Sequence, residues 1–277
     1  MERIVLHSVP GGSSGTGASY YLSGAACPRK AQLDLEQKEM GVVQTGGRAA
    51  QIGTMFHALM DVYYSKGTSD VVLELDDLEL NENAGEAMRL FAEYTKRFPS
   101  SGFGEVIGSE LQVPRDENEA TRVREFLGVP FTLRLDLITE LKGPEIPSLV
   151  QRRPELEGIE PGVYIIDHKT SGARGKDDPI KYRISTQFIA YQMVWNHLNP
   201  DRPCKGMIAN CVVRHKKLVD NSFYSVIVPP PTFDQQIGLK NFLGHTAVLM
   251  KTGVANWAAC YQWGVCHHYT SGRCDRR

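Results

Sequence analysis

The sequence predicts an α/β fold in which a central mixed sheet is flanked by helices. Short extended-type runs, rich in apolar and β-branched residues, occupy 131–138, 163–170, 207–213 and 222–228. Helical patterns surround them at 52–64, 184–198 and 232–251, so helices both precede and follow the strands. The chain of 277 residues is long enough for one large core, and 42% hydrophobic with 23% charged residues describes a soluble globular protein.

Composition narrows the functional classes. No run of about 18 apolar residues is present, so no membrane span is expected. The N-terminus lacks a basic segment followed by an apolar core and a small-residue cleavage site, and the expected location is cytoplasmic. The six cysteines then read as metal ligands or buried thiols in a reducing compartment. A net charge of −1 gives no global signal for nucleic acid. Basic clusters are local, at Arg29-Lys30, at Arg122 with Arg124, at Arg214 to Lys217 and at Arg276-Arg277. Each taken alone is equally a solvated face. Oligomeric state is not legible.

In chain order, residues 1–18 hold the Gly- and Ser-rich run Pro10 to Gly17 and read as a flexible N-terminus. Ser19 to Lys30 reads as a short helix ending in Cys27-Pro28 before a basic pair. Apolar residues at 52, 55, 56, 59, 60 and 63 predict the next helix, with His57 inside it. The acidic stretch 67–83 reads as a solvated connector, followed by a helix over Ala84–Arg97 and a strand over Glu105–Val113 that carries Glu110. Residues 142–161, with prolines at 144, 147, 154 and 161, are long for a hairpin connection and read as a mobile flap.

The chemistry concentrates on two strands. Val163 to Ile166 is apolar or aromatic and runs directly into Asp167-His168-Lys169-Thr170. Strand side chains alternate, so Asp167 and Lys169 share a face at the end of a core strand. The plain alternative is an exposed strand-end ion pair. Phe131 to Ile138 places Asp136 among apolar neighbours on a second strand. Two acids and a lysine on adjacent strands suit metal-dependent phosphodiester hydrolysis, the carboxylates holding a divalent cation. On the helix after these strands, Gln187 and Tyr191 lie four apart and share a face. Amphipathic packing would also explain Tyr191.

Asp136, then Asp167-His168-Lys169, then Gln187 to Tyr191 resembles the PD-(D/E)XK nuclease superfamily in its RecB-like branch. Gly53 to His57 is similar to the G-x-x-x-H motif of that branch, and Glu110 stands where related nucleases often place a glutamate. The chain departs from the G-x-h-D strand at one place, with Leu133 where glycine would stand. The resemblance implies a restriction-endonuclease-like core and a metal-dependent DNA nuclease. The expected activity is an exonuclease on single-stranded DNA or DNA ends in recombination, repair or replication, or in processing DNA for CRISPR spacer acquisition. A catalytically silent DNA-binding scaffold is the alternative of another class. The implied catalytic residues are Asp136, Asp167, Lys169, Gln187 and Tyr191. The implied Mg2+ or Mn2+ ligands are His57, Asp136, Asp167 and the backbone carbonyl of His168. No phosphate-binding G-x-x-x-x-G-K-[ST] loop occurs, so unwinding would need a helicase partner, and spacer acquisition an integrase.

Cys260, Cys266 and Cys274 fall within one stretch of fifteen residues near the C-terminus, in a segment too short for a core of its own. With Cys27 they make four thiolates, the complement of a [4Fe–4S] cluster, and the arrangement is similar to the iron–sulfur staple of RecB-like nucleases. Structural Zn2+ is the competing ligand, with His267 or His268 able to replace a cysteine. Cys204 and Cys211 read as core cysteines. The expected organisation is a flexible 1–18, a nuclease domain over 19–256, and a cysteine-rich tail over 257–277 closing on Cys27.

Overall fold

A computed structural model describes residues 2–6, 17–39, 47–75, 78–172, 180–214, 222–254, 256, 268 and 274. In chain order the elements are β1 (Glu2–Leu6), α1 (Ala18–Ala26), α2 (Pro28–Glu39), α3 (Arg48–Lys66), β2 (Val71–Leu75) and α4 (Leu78–Arg97). There follow β3 (Glu105–Val113), α5 (Glu117–Leu127), β4 (Leu133–Leu141), α6 (Ile146–Arg152) and β5 (Gly162–Gly172). The chain continues with α7 (Ile180–Arg183), α8 (Thr186–Leu198), β6 (Cys204–Arg214), β7 (Ser222–Val228) and α9 (Phe233–Thr252). Contacts divide it into two compact units. One comprises Met1–Gly12, Gln44–Leu111 and Arg134–Pro230; the other comprises Ser13–Val43, Gln112–Leu133 and Pro231–Arg277. Among the described residues no helix is long and apolar enough to cross a membrane.

The first unit is built on a five-stranded sheet of order β3-β4-β5-β6-β7. β4 pairs antiparallel with β5, β5 parallel with β6, and β6 antiparallel with β7, so the sheet is mixed. Helices flank it, an architecture consistent with the restriction-endonuclease-like fold. β5 is buried from Val163 to His168 and β6 from Gly206 to Val213, which is why both read as almost unbroken apolar runs. Tyr164, Ile166, Ile208 and Val212 join a core with Ile52, Met55, Phe56, Leu59 and Met60 of α3 and with Leu90, Phe91 and Tyr94 of α4. The spacing of three and four along α3 produces that buried stripe, and Gly67 ends the helix at φ 68°, in the left-handed region.

The second unit packs α1, α2, α5 and α9. The Tyr21 hydroxyl donates to the Pro130 carbonyl at 2.5 Å, and its ring stacks on Phe131. A Cβ at Gly24 would lie 2.3 Å from Met250 Sδ, so the absence of a side chain lets α1 approach α9.

Three stretches differ from the sequence-based expectation. The supposed connector 67–83 contains β2 and the first turns of α4. β2 finds its partner in β1, Glu2 opposite Val71 and Leu6 opposite Leu75, and a pairing across 69 residues leaves no local trace in the sequence. The start of the chain is accordingly a strand over Glu2–Leu6, while Pro10 to Thr16 lies outside the described residues. The expected flap 142–161 is instead packed structure. It holds α6 and a 3-10 turn over Pro154–Leu156, and Leu149, Leu156 and Ile159 enter the core.

Arg153 anchors that segment. Only 2% exposed, it donates from Nη1 to Asn210 Oδ1 (2.9 Å) and Ser225 Oγ (2.7 Å), and from Nη2 to the Tyr94 hydroxyl (2.8 Å). These acceptors are neutral, and the rings of Phe98 and Phe103 lie 3.7 and 4.7 Å from its guanidinium carbon. Removing the donor leaves three buried groups short of a partner, so Arg153→Met should lower unfolding free energy by about 3 kcal/mol. Urea denaturation of both proteins measures this; an unchanged midpoint would show that the segment is not anchored through Arg153.

Candidate active site

The site forms where α3, β3, β4, β5 and α8 of the first unit converge. His57 lies one helical turn after Gly53 on α3. A Cβ at Gly53 would come within 2.9 Å of Thr170 Oγ1 on β5, so the bare glycine allows the helix to approach the strand end closely. That approach sets His57 Nδ1 3.3 Å from Asp136 Oδ2. Asp136, on β4, is 9% exposed, and the same oxygen accepts the backbone N–H of His168 at 2.8 Å.

On the next strand the expected alternation holds. Lys169 Nζ meets Asp167 Oδ2 as an ion pair at 2.6 Å, with Asp167 itself 2% exposed. Ser185 caps α8 by accepting the Phe188 N–H, which starts the helix so that Gln187 faces the strand end. Lys169 Nζ donates to Gln187 Oε1 (3.3 Å), while Gln187 Nε2 donates to Asp167 Oδ1 (3.2 Å) and to the Tyr191 hydroxyl (2.8 Å). Asp167, Lys169 and Gln187 thus form a closed ring of contacts, and Tyr191 extends it along one helix face.

Glu110, a secondary candidate in the sequence, completes a cluster. Atoms of His57, Glu110 and Asp136 able to bind a cation all lie within 4.8 Å of one another. Glu110 sits at φ 47°, a region that residues other than glycine adopt at some cost, and its Oε2 takes the Arg134 Nε–H at 2.8 Å. Only the resemblance marked it in the sequence, because its place depends on a backbone conformation and on two other elements. The His168 ring does not join the cluster; its Nδ1 is bound to Asn210 and its face stacks on Tyr64.

The electrostatics suit a bound cation. Burial, reinforced by the Asp136 carboxylate, pushes Glu110 up to about 7. Burial also raises Asp167, to about 6, against the pull of Lys169 and with the push of Asp136. Asp136 goes the other way: burial opposes its charge, but His57, His168 and Lys169 outweigh it and hold the carboxyl well below the usual range. Burial opposes charge on His57 too, and Asp136 overrides it to raise the imidazole. Burial lowers His168 to about 3, leaving its ring neutral. Crowded carboxylates and an imidazole, with oxygen and nitrogen donors and no thiolate, are a fitting donor set for Mg2+ or Mn2+.

The family model of the PD-(D/E)XK nuclease superfamily matches residues 18–238, which is more than half of the chain. The chain belongs to that superfamily. As a PD-(D/E)XK nuclease it is a hydrolase that cleaves DNA with a divalent metal such as Mg2+ or Mn2+. No curated protein matches the chain.

The structure brings together His57, Asp136, Asp167, Lys169, Gln187 and Tyr191 of the nuclease's sequence-based set. Of the proposed cysteine ligands, Cys27 and Cys274 are buried in the second unit, and Cys260 and Cys266 lie outside the described residues. Cys204 and Cys211 are buried on β6, as their setting among apolar residues suggests.

The raised Glu110 carboxyl has a testable consequence. A cation must displace its proton, so Mn2+ affinity should fall by about tenfold per pH unit below about 7. Without metal the sign for stability is the reverse of the usual carboxylate case. The folded chain holds this proton to a higher pH than the unfolded one, so the contribution is full below the unfolded value and is lost as pH rises through about 7. Glu110→Gln should flatten both profiles, read by calorimetric titration with Mn2+ and by thermal melts from pH 5 to 8. A parent whose Mn2+ affinity is the same at pH 6 and pH 8 would contradict this.

Proposed function

We propose that this nuclease is an exonuclease acting on single-stranded DNA or DNA ends. In this reading His57, Asp136, Asp167 and the His168 carbonyl hold the divalent cation, with Glu110 added by its place in the cluster. The observation that carries it is the ring of Asp167, Lys169 and Gln187 beside the His57–Glu110–Asp136 cluster.

When bound, the cation supplies Lewis-acid stabilisation of charge building on the phosphate. Burial works against the charge on Lys169, but Asp167 and Asp136 outweigh it and raise its pKa, so it is an ammonium at neutral pH. Lys169 therefore acts as donor and cation, orienting the water that adds to phosphorus and offsetting negative charge as the ester P–O bond breaks. Gln187 holds Lys169 and Asp167 in one geometry, and Tyr191 fixes Gln187 from the next turn of α8. Asp167→Ala and Lys169→Ala should each lower cleavage of end-labelled DNA by at least about a thousandfold, with circular dichroism unchanged. EDTA should abolish cleavage by the parent, and Mn2+ or Mg2+ should restore it. Products shortening from one labelled end support the exonuclease reading; internal fragments from closed circular DNA oppose it. Near-parent activity in either folded variant would remove the assignment of Asp167 and Lys169.

The same reading includes a [4Fe–4S] cluster held by Cys27, Cys260, Cys266 and Cys274. Supporting it, Cys27 is buried and its Sγ accepts the backbone N–H of Asn256 at 3.4 Å, which brings the start of the tail to this thiol. Iron and sulfide should each approach about four per chain in anaerobically purified protein. Cys27→Ser should lose the iron and about 3–5 kcal/mol of stability, as expected for opening a long loop. One zinc per chain and no iron would replace the cluster with structural Zn2+ and leave the nuclease assignment intact.

A further inference from the structure

The face of the sheet opposite Asp167 and Lys169 carries buried polar side chains that the proposed chemistry does not use. His168 on β5 lies in register with Asn210 on β6, and Asn210 with Ser225 on β7. Arg153 bridges Asn210 and Ser225, and all four residues are 2% exposed or less.

The direction of every hydrogen bond in this row follows from the guanidinium, which only donates. Its Nη1 faces Asn210 at 2.9 Å, so the facing atom must be the carbonyl oxygen Oδ1. The amide nitrogen then points the other way, donating to His168 Nδ1 at 2.8 Å and to the Tyr94 hydroxyl at 2.9 Å. A flipped amide would set donor against donor at Arg153. Because Nδ1 accepts, it carries no proton, and the neutral ring must be protonated at Nε2. Tyr64 fixes the plane of that ring, stacking at 5.6 Å with an interplanar angle of 13°. The backbone N–H of His168 itself donates to Asp136 Oδ2 at 2.8 Å. His168 thus ties the buried row to the carboxylate cluster.

We propose that Arg153 is a positioning residue for the hydrolysis: through Asn210 it sets His168 as the Nε2–H tautomer, and so holds the β5 backbone N–H that orients the Asp136 carboxylate. The proposal rests on the nuclease reading of the site. With the proton on Nδ1 instead, two donors would face each other, and the ring would have to shift together with its strand. Groups one step removed from a metal typically change its affinity by about 10–100-fold.

The test begins with a readout independent of cleavage. In 15N-histidine-labelled protein, two-bond proton–nitrogen correlations report the tautomer of each ring, and His168→Gln identifies the signal. The parent should show His168 protonated at Nε2 and bare at Nδ1. Asn210→Asp still pairs with Arg153 but can only accept, so it should move a proton to Nδ1 and weaken Mn2+ binding by about tenfold or more, with kcat falling alongside. If Asn210→Asp does not fold, Arg153→Lys, which is still donor-only, should keep the tautomer and the Mn2+ affinity where Arg153→Met loses both. An Nδ1–H ring in the parent overturns the proposal. So does a changed tautomer in a folded variant whose Mn2+ affinity and kcat stay within twofold of the parent. A parent that neither binds Mn2+ nor cuts DNA overturns the nuclease reading, and the positioning role with it, whatever its tautomer. A parent that binds Mn2+ and cuts DNA, beside a folded variant that does both equally well with its tautomer changed, overturns the positioning role alone.

Discussion

Strand β5 must carry three consecutive polar side chains, Asp167, His168 and Lys169, through a sheet covered on both faces. Water cannot satisfy Asp167 or His168, each 2% exposed, so the protein has to supply partners on both sides. On one face Gln187 of α8 receives Lys169 and donates to Asp167. On the other, Asn210 binds His168 Nδ1 and Tyr64 stacks on the ring, while Nε2 is left without a hydrogen-bond partner among the described residues. Because alternation sends 167 and 169 one way and 168 the other, a slip of one residue in register would place each group among the wrong partners. The register of β5 against β6 and the positions of α3 and α8 are bound to this requirement.

The site gathers more carboxylates than its cations balance among the described residues. Glu110, Asp136 and Asp167 crowd together where burial already disfavours charge, and two of them respond by holding their protons to unusually high pH. Asp136 alone stays readily ionised, because His57, and after it His168 and Lys169, outweigh its burial. A divalent cation would complete the set, letting all three ionise. The positive φ at Glu110 belongs to the same picture: its carboxylate joins the cluster from a backbone conformation that costs energy locally.

The supporting structure comes from parts of the chain far from the motifs. Residues 142–161, proline-rich and long, deliver Leu149, Leu156 and Ile159 to the core and Arg153 to Asn210 of β6 and Ser225 of β7. A connection between two acidic strands here serves as scaffold, because its apolar residues find a surface left open by α4 and β7 and its one buried cation finds neutral acceptors and aromatic faces.

By itself the sequence determined what depends on local periodicity. Alternation along 163–170 put Asp167 and Lys169 on one face, a spacing of four put Gln187 and Tyr191 on one side of a helix, and the stripe over 52–63 placed His57 in a helix with a buried face. Belonging to the superfamily was legible for the same reason, since its motifs are short and ordered along the chain. Only the tertiary structure decided the surroundings of Glu110, Arg153 and Asn210, and the pairing of β1 with β2. Each depends on a meeting between residues tens of positions apart, or on a single unusual φ. Neither leaves a periodic trace, because local patterns report which face a side chain takes and not what awaits it there.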